Sequence, residues 1–395
     1  MSTDHPAGQA RVSLYNDPRV RSIAYQAVLA AAVGFFVYAA ASNAIDNLER
    51  AHITSGFGFW DTTAGFDISQ TLIFYDSQVS TYGRAFWVGL LNTLLVAGLG
   101  IVFATILGFI VGISRLSKNW LLAKTAGGYV ETIRNIPLLL QLLFWYNAVL
   151  KALPEARDSI VIAGGAFLNN RGLYLPHPVF LYGFDVVLAA IAVGIAAASG
   201  FYLWARKRQE RTGRQAPVFW PVLALIVGLP LAVFALKGFP LTFDYPQAAR
   251  FNITGGIEVL PEFAALLFGL TIYTAAFIAE VVRAGILAVS QGQIEAAYSL
   301  GLKPAPTLRV IVVPQAMRVI IPPLTSQYLN LTKNSTLAVA IGYPDLVQIF
   351  TGTVLNQTGQ AVTIVAVTMA VYLAISLVTS LLMNLYNRRV ALVER

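Results

Sequence analysis

Apolar runs long enough to cross a bilayer recur along most of this chain, and no other feature narrows its possible folds so far. They cover residues 23–45, 86–113, 136–150, 181–204, 217–236, 263–289, 310–331 and 361–386, with short charged or Pro/Gly-rich segments between them. Backbone N–H and C=O groups find no water in hydrocarbon, so such runs fold as helices that satisfy themselves. The expected class is all-α, a polytopic membrane protein with about eight transmembrane helices. Composition agrees, since hydrophobic residues make up 57% and charged residues 12%, and a soluble chain carries about twice that charged share. A cleaved signal peptide competes for the first run, given the small residues at 39–42. That run is longer than a usual signal core and further spans follow it, which favours a retained helix.

Two runs depart from the simple pattern. Residues 136–150 begin at Pro137 and are approached by an amphipathic stretch, 124–134. Residues 310–331 contain Pro314, Pro322 and Pro323 beside Arg318, Gln327 and Asn330. A kinked or re-entrant segment is expected there, with the freed backbone turned to protein or water. Residues 334–353 then read as a short membrane-associated segment that turns at Gly342, Tyr343, Pro344 and Asp345.

Charge fixes an orientation. With eight spans and both termini inside, the basic clusters at 19–21, 115–124, 206–214, 303–309 and 388–389 share the cytoplasmic face. The loop at 46–84 carries Asp46, Glu49, Asp61, Asp67 and Asp76 against Arg50 and Arg84, and falls outside, with its aromatic residues expected at headgroup level. The formal charge of +8 is thus a membrane-topology signal and not a nucleic-acid surface. The chain has no cysteine, and His5, His52 and His177 are scattered, so neither thiolate chemistry nor a histidine metal centre is expected. No phosphate-binding loop of the G-x-x-x-x-G-K-[ST] type occurs, so ATP hydrolysis would belong to another polypeptide.

Residues 291–314, QGQIEAAYSLGLKPAPTLRVIVVP, interrupt the apolar runs. A helix over 291–300 would end at Gly301, and Pro304 forbids its continuation. Ala296 and Ala297 would let another surface approach its backbone closely. The alternative is a solvated helix that merely links two spans. Glu295, Ala296 and Ala297, then Gly301, Ile311 and Pro314, stand in the order of the EAA motif of bacterial ABC importer permeases, with Val313 where the motif has leucine. The chain resembles that family, and within it the permeases that import polar amino acids. The likeness rests on LLNTLLVA (90–97), ETIRNIPLLLQLLFWY (131–146), AEVVRAGILAVSQGQIEAA (279–297) and LTKNSTLAVAIG (331–342). It is nearest to the larger permease component of proteobacterial general L-amino acid importers.

The resemblance implies a type I ABC importer permease fold with a coupling helix at 291–303. It divides the chain into an N-terminal extension (1–85), a first core part (86–150), an insertion with two extra spans and a basic loop (151–256), and a second core part (257–395). It also implies a second homologous permease, a homodimeric ATP-binding subunit that holds the ATP and Mg, and a periplasmic amino-acid-binding protein. Gly292, Glu295, Ala296, Ala297, Gly301 and Pro314 would form the ATPase-docking segment. The chain itself would be a transport subunit of the inner membrane, with no cofactor of its own and no enzymatic activity.

A zwitterionic amino acid needs an acceptor for its ammonium and a donor for its carboxylate. Glu280 and Arg283, one turn apart in the sixth run, offer both; an intrahelical ion pair is the competing reading. Asn92, Thr93, Gln141, Thr271, Thr274, Gln327 and Asn330 are further candidates for a polar cavity, each with an alternative as interhelical glue. Lys333 is expected near the external end of the broken segment. An ion-coupled secondary transporter or channel remains the rival function, with Glu280 as its one carboxylate deep in a span. A membrane enzyme would require a nucleophile with a base, a metal cluster or a cofactor loop, none of which the sequence offers.

Overall fold

The computed structural model describes residues 18–50, 56–162, 164–249 and 252–390. The expectations for the polar segment before residue 18, for His5 and for His52 lie outside them. The helices run α1 (Pro18–Arg50), α2 (Tyr82–Ser114), α3 (Trp120–Asn135), α4 (Leu138–Leu143), α5 (Phe184–Thr212), α6 (Phe219–Leu223), α7 (Leu229–Leu236), α8 (Pro261–Leu287), α9 (Gln291–Ser299), α10 (Pro304–Thr307), α11 (Val313–Asn334), α12 (Leu355–Thr358) and α13 (Ala361–Val390). Among the described residues, 7 helical stretches are long and apolar enough to span a membrane, or 8 with one bent pair, in line with the expected count.

The bundle is organised on α2 and α8. Gly108 and Gly112 of α2 take the side chains of Ile278 and Val282 and the carbonyls of Ala275 and Ala279 so closely that a Cβ at either glycine would collide. α11 joins the pair from the other side, with Ile320 seated over Gly285 of α8 and Leu331 over Gly100 of α2. Close approach of this kind supplies much of the van der Waals attraction between helices in lipid, where burial of apolar surface gains little.

The bent pair is α3 with α4 and the π-helical turn Phe144–Leu150, which meet at 104°. Pro137 causes the bend. It lacks an N–H, and it pushes Ile136 into extended backbone at φ −101°. The Gln141 amide then donates to the carbonyls of Ile133 (3.0 Å) and Ile136 (2.9 Å), which the bend leaves without helical partners.

The prolines of α11 do not break it. The helix runs through Pro322 and Pro323, and the break comes later, in a 3-10 stretch, Ser335–Ile341, and a left-handed turn at Gly342. Chain reversal inside a bundle requires that the turn's backbone groups be satisfied by protein. Asn92 Nδ2 donates to Pro344 O at 2.8 Å, and Leu346 N–H donates to Thr93 Oγ1 at 3.0 Å. The chain then runs through the π-helical turn Gln348–Val354 and α12 before α13.

Two regions depart from expectation. Residues 56–81 do not seat their aromatic side chains loosely at a bilayer surface: Phe59 is buried, and Trp60 packs on Phe86 (ring centroids 5.2 Å apart) and Phe350 (6.1 Å). Gly83 makes room for the indole. Phe57 and Phe74 stay exposed. The connections around the inserted spans, expected as loops, form a small β cap. Strands Ile160–Ile162 (β1), Ala166–Asn169 (β2), Gly172–Leu175 (β3), His177–Phe180 (β4), Leu241–Asp244 (β5), Gln247–Ala248 (β6), Ile253–Thr254 (β7) and Ile257–Val259 (β8) pair antiparallel. The order β1-β2-β3-β8 joins both sides of the inserted hairpin, and Tyr174 O–H donates to Glu258 at 2.9 Å across it. Burial, and then this bond, push the Tyr174 hydroxyl up to about 12.

Candidate docking helix and translocation face

Two ends of the molecule can be distinguished by connectivity: the end with the β cap and the end with α9. Pro304 and the left-handed Gly301 (φ 78°) confine α9 to nine residues. Gly301 N–H bonds Tyr298 O at 2.9 Å, and Leu302 N–H bonds Ala297 O at 3.1 Å, so the last carbonyls of α9 are satisfied. Ala297 is buried and Ile294 half-buried, holding α9 against α10 and the turn that follows. Gln315 Nε2 donates to Gln293 Oε1 at 2.7 Å, which ties α9 to α11 as well. On its other faces Gly292, Glu295 and Ala296 are exposed, and so are Tyr298 and Leu300, the last at 82%. The structure thus brings Gly292, Glu295 and Ala296 out to the surface. It turns Ala297 inward, uses Gly301 as the helix stop, and leaves Pro314 exposed at the start of α11.

Glu280 lies nearer the α9 end than the sequence suggests. Its neighbours Ala279 and Val282 pack on Gly112, close to the last residue of α2. Arg283 donates to Glu280 Oε1 from Nη2 (2.6 Å) and Nε (3.2 Å), and Arg115, the C-cap of α2, donates to Oε2. One carboxylate therefore holds two guanidinium groups, and it joins the ends of two spans. Arg115 was legible in the sequence only as part of a basic cluster; its partner lies 165 positions away.

The other polar candidates do not form one cavity. Thr93 and the amide nitrogens of Asn92 and Gln141 bond backbone, while Asn92 Oδ1 and Gln141 Oε1 are buried without a hydrogen-bond partner among the described residues. Thr274 is buried in α8, and Thr271 keeps a buried hydroxyl without a hydrogen-bond partner among the described residues. Asn330 lies on the exposed face of α11, whereas Gln327, half-buried, falls on the face of Leu324 and Leu331, three residues after the one and four before the other. The inner face of that helix carries Ala316, Ile320, Leu324 and Leu331, all buried; Pro322, Ser326, Asn330 and Lys333 are exposed opposite them. Lys333 sits in the last turn of α11, at the end of that helix away from α9. Leu331 packs on Gly100, near the midpoint of α2, so this end of α11, and Lys333 with it, lies about half-way along the bundle. None of the three ion pairs among the described residues includes it. A charged, polar stripe at that depth is incompatible with lipid and belongs against a water-filled path or another protein.

Residues 100–392 match the family described as "Binding-protein-dependent transport system inner membrane component". The chain belongs to this family. The permease is 53% identical to the "General L-amino acid transport system permease protein AapQ" of Rhizobium johnstonii, over 99% of this chain and 97% of that one. It is 53% identical to the "Putative amino-acid ABC transporter permease protein YhdX" of Escherichia coli, over 96% and 97%. A third relative, the "Glutamate/glutamine/aspartate/asparagine transport system permease protein BztB" of Rhodobacter capsulatus, is 43% identical over the full length of both chains. The family match begins inside α2, while the relatives align over nearly the whole permease, so α1 and the 56–81 cover lie in a region these relatives share.

Proposed function

We propose that this permease is the membrane subunit of an ATP-driven importer of L-amino acids in the bacterial cytoplasmic membrane. The observation that carries the reading is α9: a short helix between two spans, packed on α10 and hydrogen-bonded to α11, that shows Glu295, Ala296, Tyr298 and Leu300 to the outside. A homodimeric ATP-binding subunit, which supplies ATP and Mg, docks there. Movement of α9 passes into α8, to which it is joined through Ser290, and into α11 through Gln315. The basic clusters lie at the α9 end, which supports the reading of that end as the cytoplasmic side, with both termini expected there. The β cap and the 56–81 cover then face the periplasm, where an amino-acid-binding protein delivers substrate.

A relative named for glutamate, glutamine, aspartate and asparagine transport supports polar amino acids as the substrate class. The exposed stripe of α11 lines the path, facing a second, homologous permease. Lys333 meets the substrate carboxylate, and Asn330 offers an amide group beside it. Glu280, which holds both Arg283 and Arg115, acts nearer the cytoplasmic exit, where opening the path separates α2 from α8.

The test is amino-acid-stimulated ATP hydrolysis in proteoliposomes, with the complex purified through this chain and a periplasmic binding protein added. Stimulation that disappears with Glu295→Lys supports the reading. Purification without any ATPase overturns it, and ion-coupled uptake would then be measured instead. Lys333→Gln is expected to abolish uptake while the complex still assembles.

A further inference from the structure

The inserted hairpin, α5 with α6 and α7, is built differently at its two ends. Around Gly194 it is closed, because the Leu225 carbonyl approaches so near that a Cβ would collide. Toward the α9 end α5 and α6 diverge and leave a groove of about 660 Å³. Ser199, Tyr202 and Leu203 wall it on one side, and Phe219, Val222 and Leu223 on the other. The hydroxyls of Ser199 and Tyr202 are the only polar side-chain atoms among its lining residues.

The chain turns basic at the mouth of this groove. Arg206 and Lys207 continue the helical face of Tyr202 and Leu203, three to five residues on. Arg214 stands in the short connection between α5 and α6. Arg206 shares its charge with Glu210 at 3.2 Å, and Arg208 lies over the Trp204 ring at 5.3 Å. Lys207 and Arg214 take part in none of the ion pairs among the described residues. A hydrocarbon core about 30 Å thick takes roughly 20 residues of helix. Counted from Phe184, where α5 starts, residues 206–214 reach headgroup level and the groove lies just inside the same leaflet.

We propose that this groove is a binding site for an anionic phospholipid of that leaflet, with an acyl chain between α5 and α6 and the headgroup phosphate against Lys207 and Arg214. The groove runs from Tyr202 and Phe219 at its mouth to Ile226 and Val227 beside the Gly194 contact, and its lining, apolar but for two hydroxyls, suits a lipid chain. The unpaired cations at the mouth select a net negative headgroup, which a zwitterionic lipid does not supply.

The test uses the assembled complex, purified through this chain and placed in nanodiscs that contain phosphatidylglycerol and phosphatidylcholine in equal amounts. Lipids retained after release are counted by native mass spectrometry. The wild type is expected to retain phosphatidylglycerol in preference. Lys207→Gln and Arg214→Gln should each weaken that preference by about fivefold. Leu223→Trp, which fills the groove, should remove the retained lipid, with melting temperature and subunit content confirming an intact complex. Unchanged phosphatidylglycerol retention in these variants would overturn the proposal. So would a photo-crosslinker at Tyr202 that captures another polypeptide and no lipid.

Discussion

The Asn92 side-chain amide on α2 donates to the Pro344 carbonyl at 2.8 Å, across 252 positions of sequence, and also to Gln70 O at 2.9 Å. A single buried residue thereby joins a spanning helix to the turn that interrupts the last part of the core and to the cover folded over it. Thr93, its neighbour, accepts from Leu346 N–H and donates to Gly89 O. This pair is what allows a backbone reversal at a depth where water cannot satisfy it.

Asn92→Leu should therefore be costly. It leaves the buried Pro344 carbonyl unsatisfied, at about 1–3 kcal/mol, and the partly buried Gln70 carbonyl as well, and is expected to lower the melting temperature of the purified permease clearly. Thr93→Val leaves Leu346 N–H without its acceptor, while Gly89 O keeps its place in the α2 backbone ladder, and should cost about half as much. Unchanged melting in both variants would show that the turn does not depend on α2.

The glycine contacts predict a contrast within one helix. Gly112→Val drives a side chain into Ala279 O and Val282, whereas Gly98 has nothing within 4 Å of an added Cβ. The first variant is expected to fail in assembly or lose about 1–3 kcal/mol through overpacking. Gly98→Ala should be neutral or slightly stabilising. Expression level and thermal unfolding would distinguish them.

The Arg115–Glu280–Arg283 cluster calls for a double-mutant cycle. Glu280→Gln leaves two guanidinium groups facing each other, side chains that are 16% and 32% exposed. Partial solvation keeps the cost to roughly 2 kcal/mol, below that of a fully buried pair. Adding Arg115→Gln should recover part of that loss, since it removes one uncompensated charge. If the two single losses simply add, Arg115 and Glu280 are not coupled.

For α9, Glu295→Lys should separate stability from coupling. The side chain is exposed and reaches no partner in this chain that the fold requires, so unfolding should move by no more than about 0.5 kcal/mol. Amino-acid-stimulated ATP hydrolysis by the complex should fall sharply. Leu300→Asn, at the exposed apolar position beside it, should weaken recovery of the ATP-binding subunit in pull-downs.

The sequence by itself determined the spans, their number and the short helix between Ser290 and Pro304, because hydrocarbon leaves backbone no choice but helix, and glycine and proline stop helices locally. It also marked Glu280 and Arg283 as a pair, since three residues of helix place them together. Only the tertiary structure decided what each charge faces. Arg115 reaches Glu280, Lys333 comes to stand half-way along the bundle, and Asn92 turns to Pro344, through helix packing whose register no local pattern encodes. The β cap was illegible for a related reason: strands of two to four residues, joined between β3 and β8 across the inserted hairpin, leave no periodicity to read. Local propensity fixes which segments cross the membrane, and long-range contact geometry fixes which polar groups then meet.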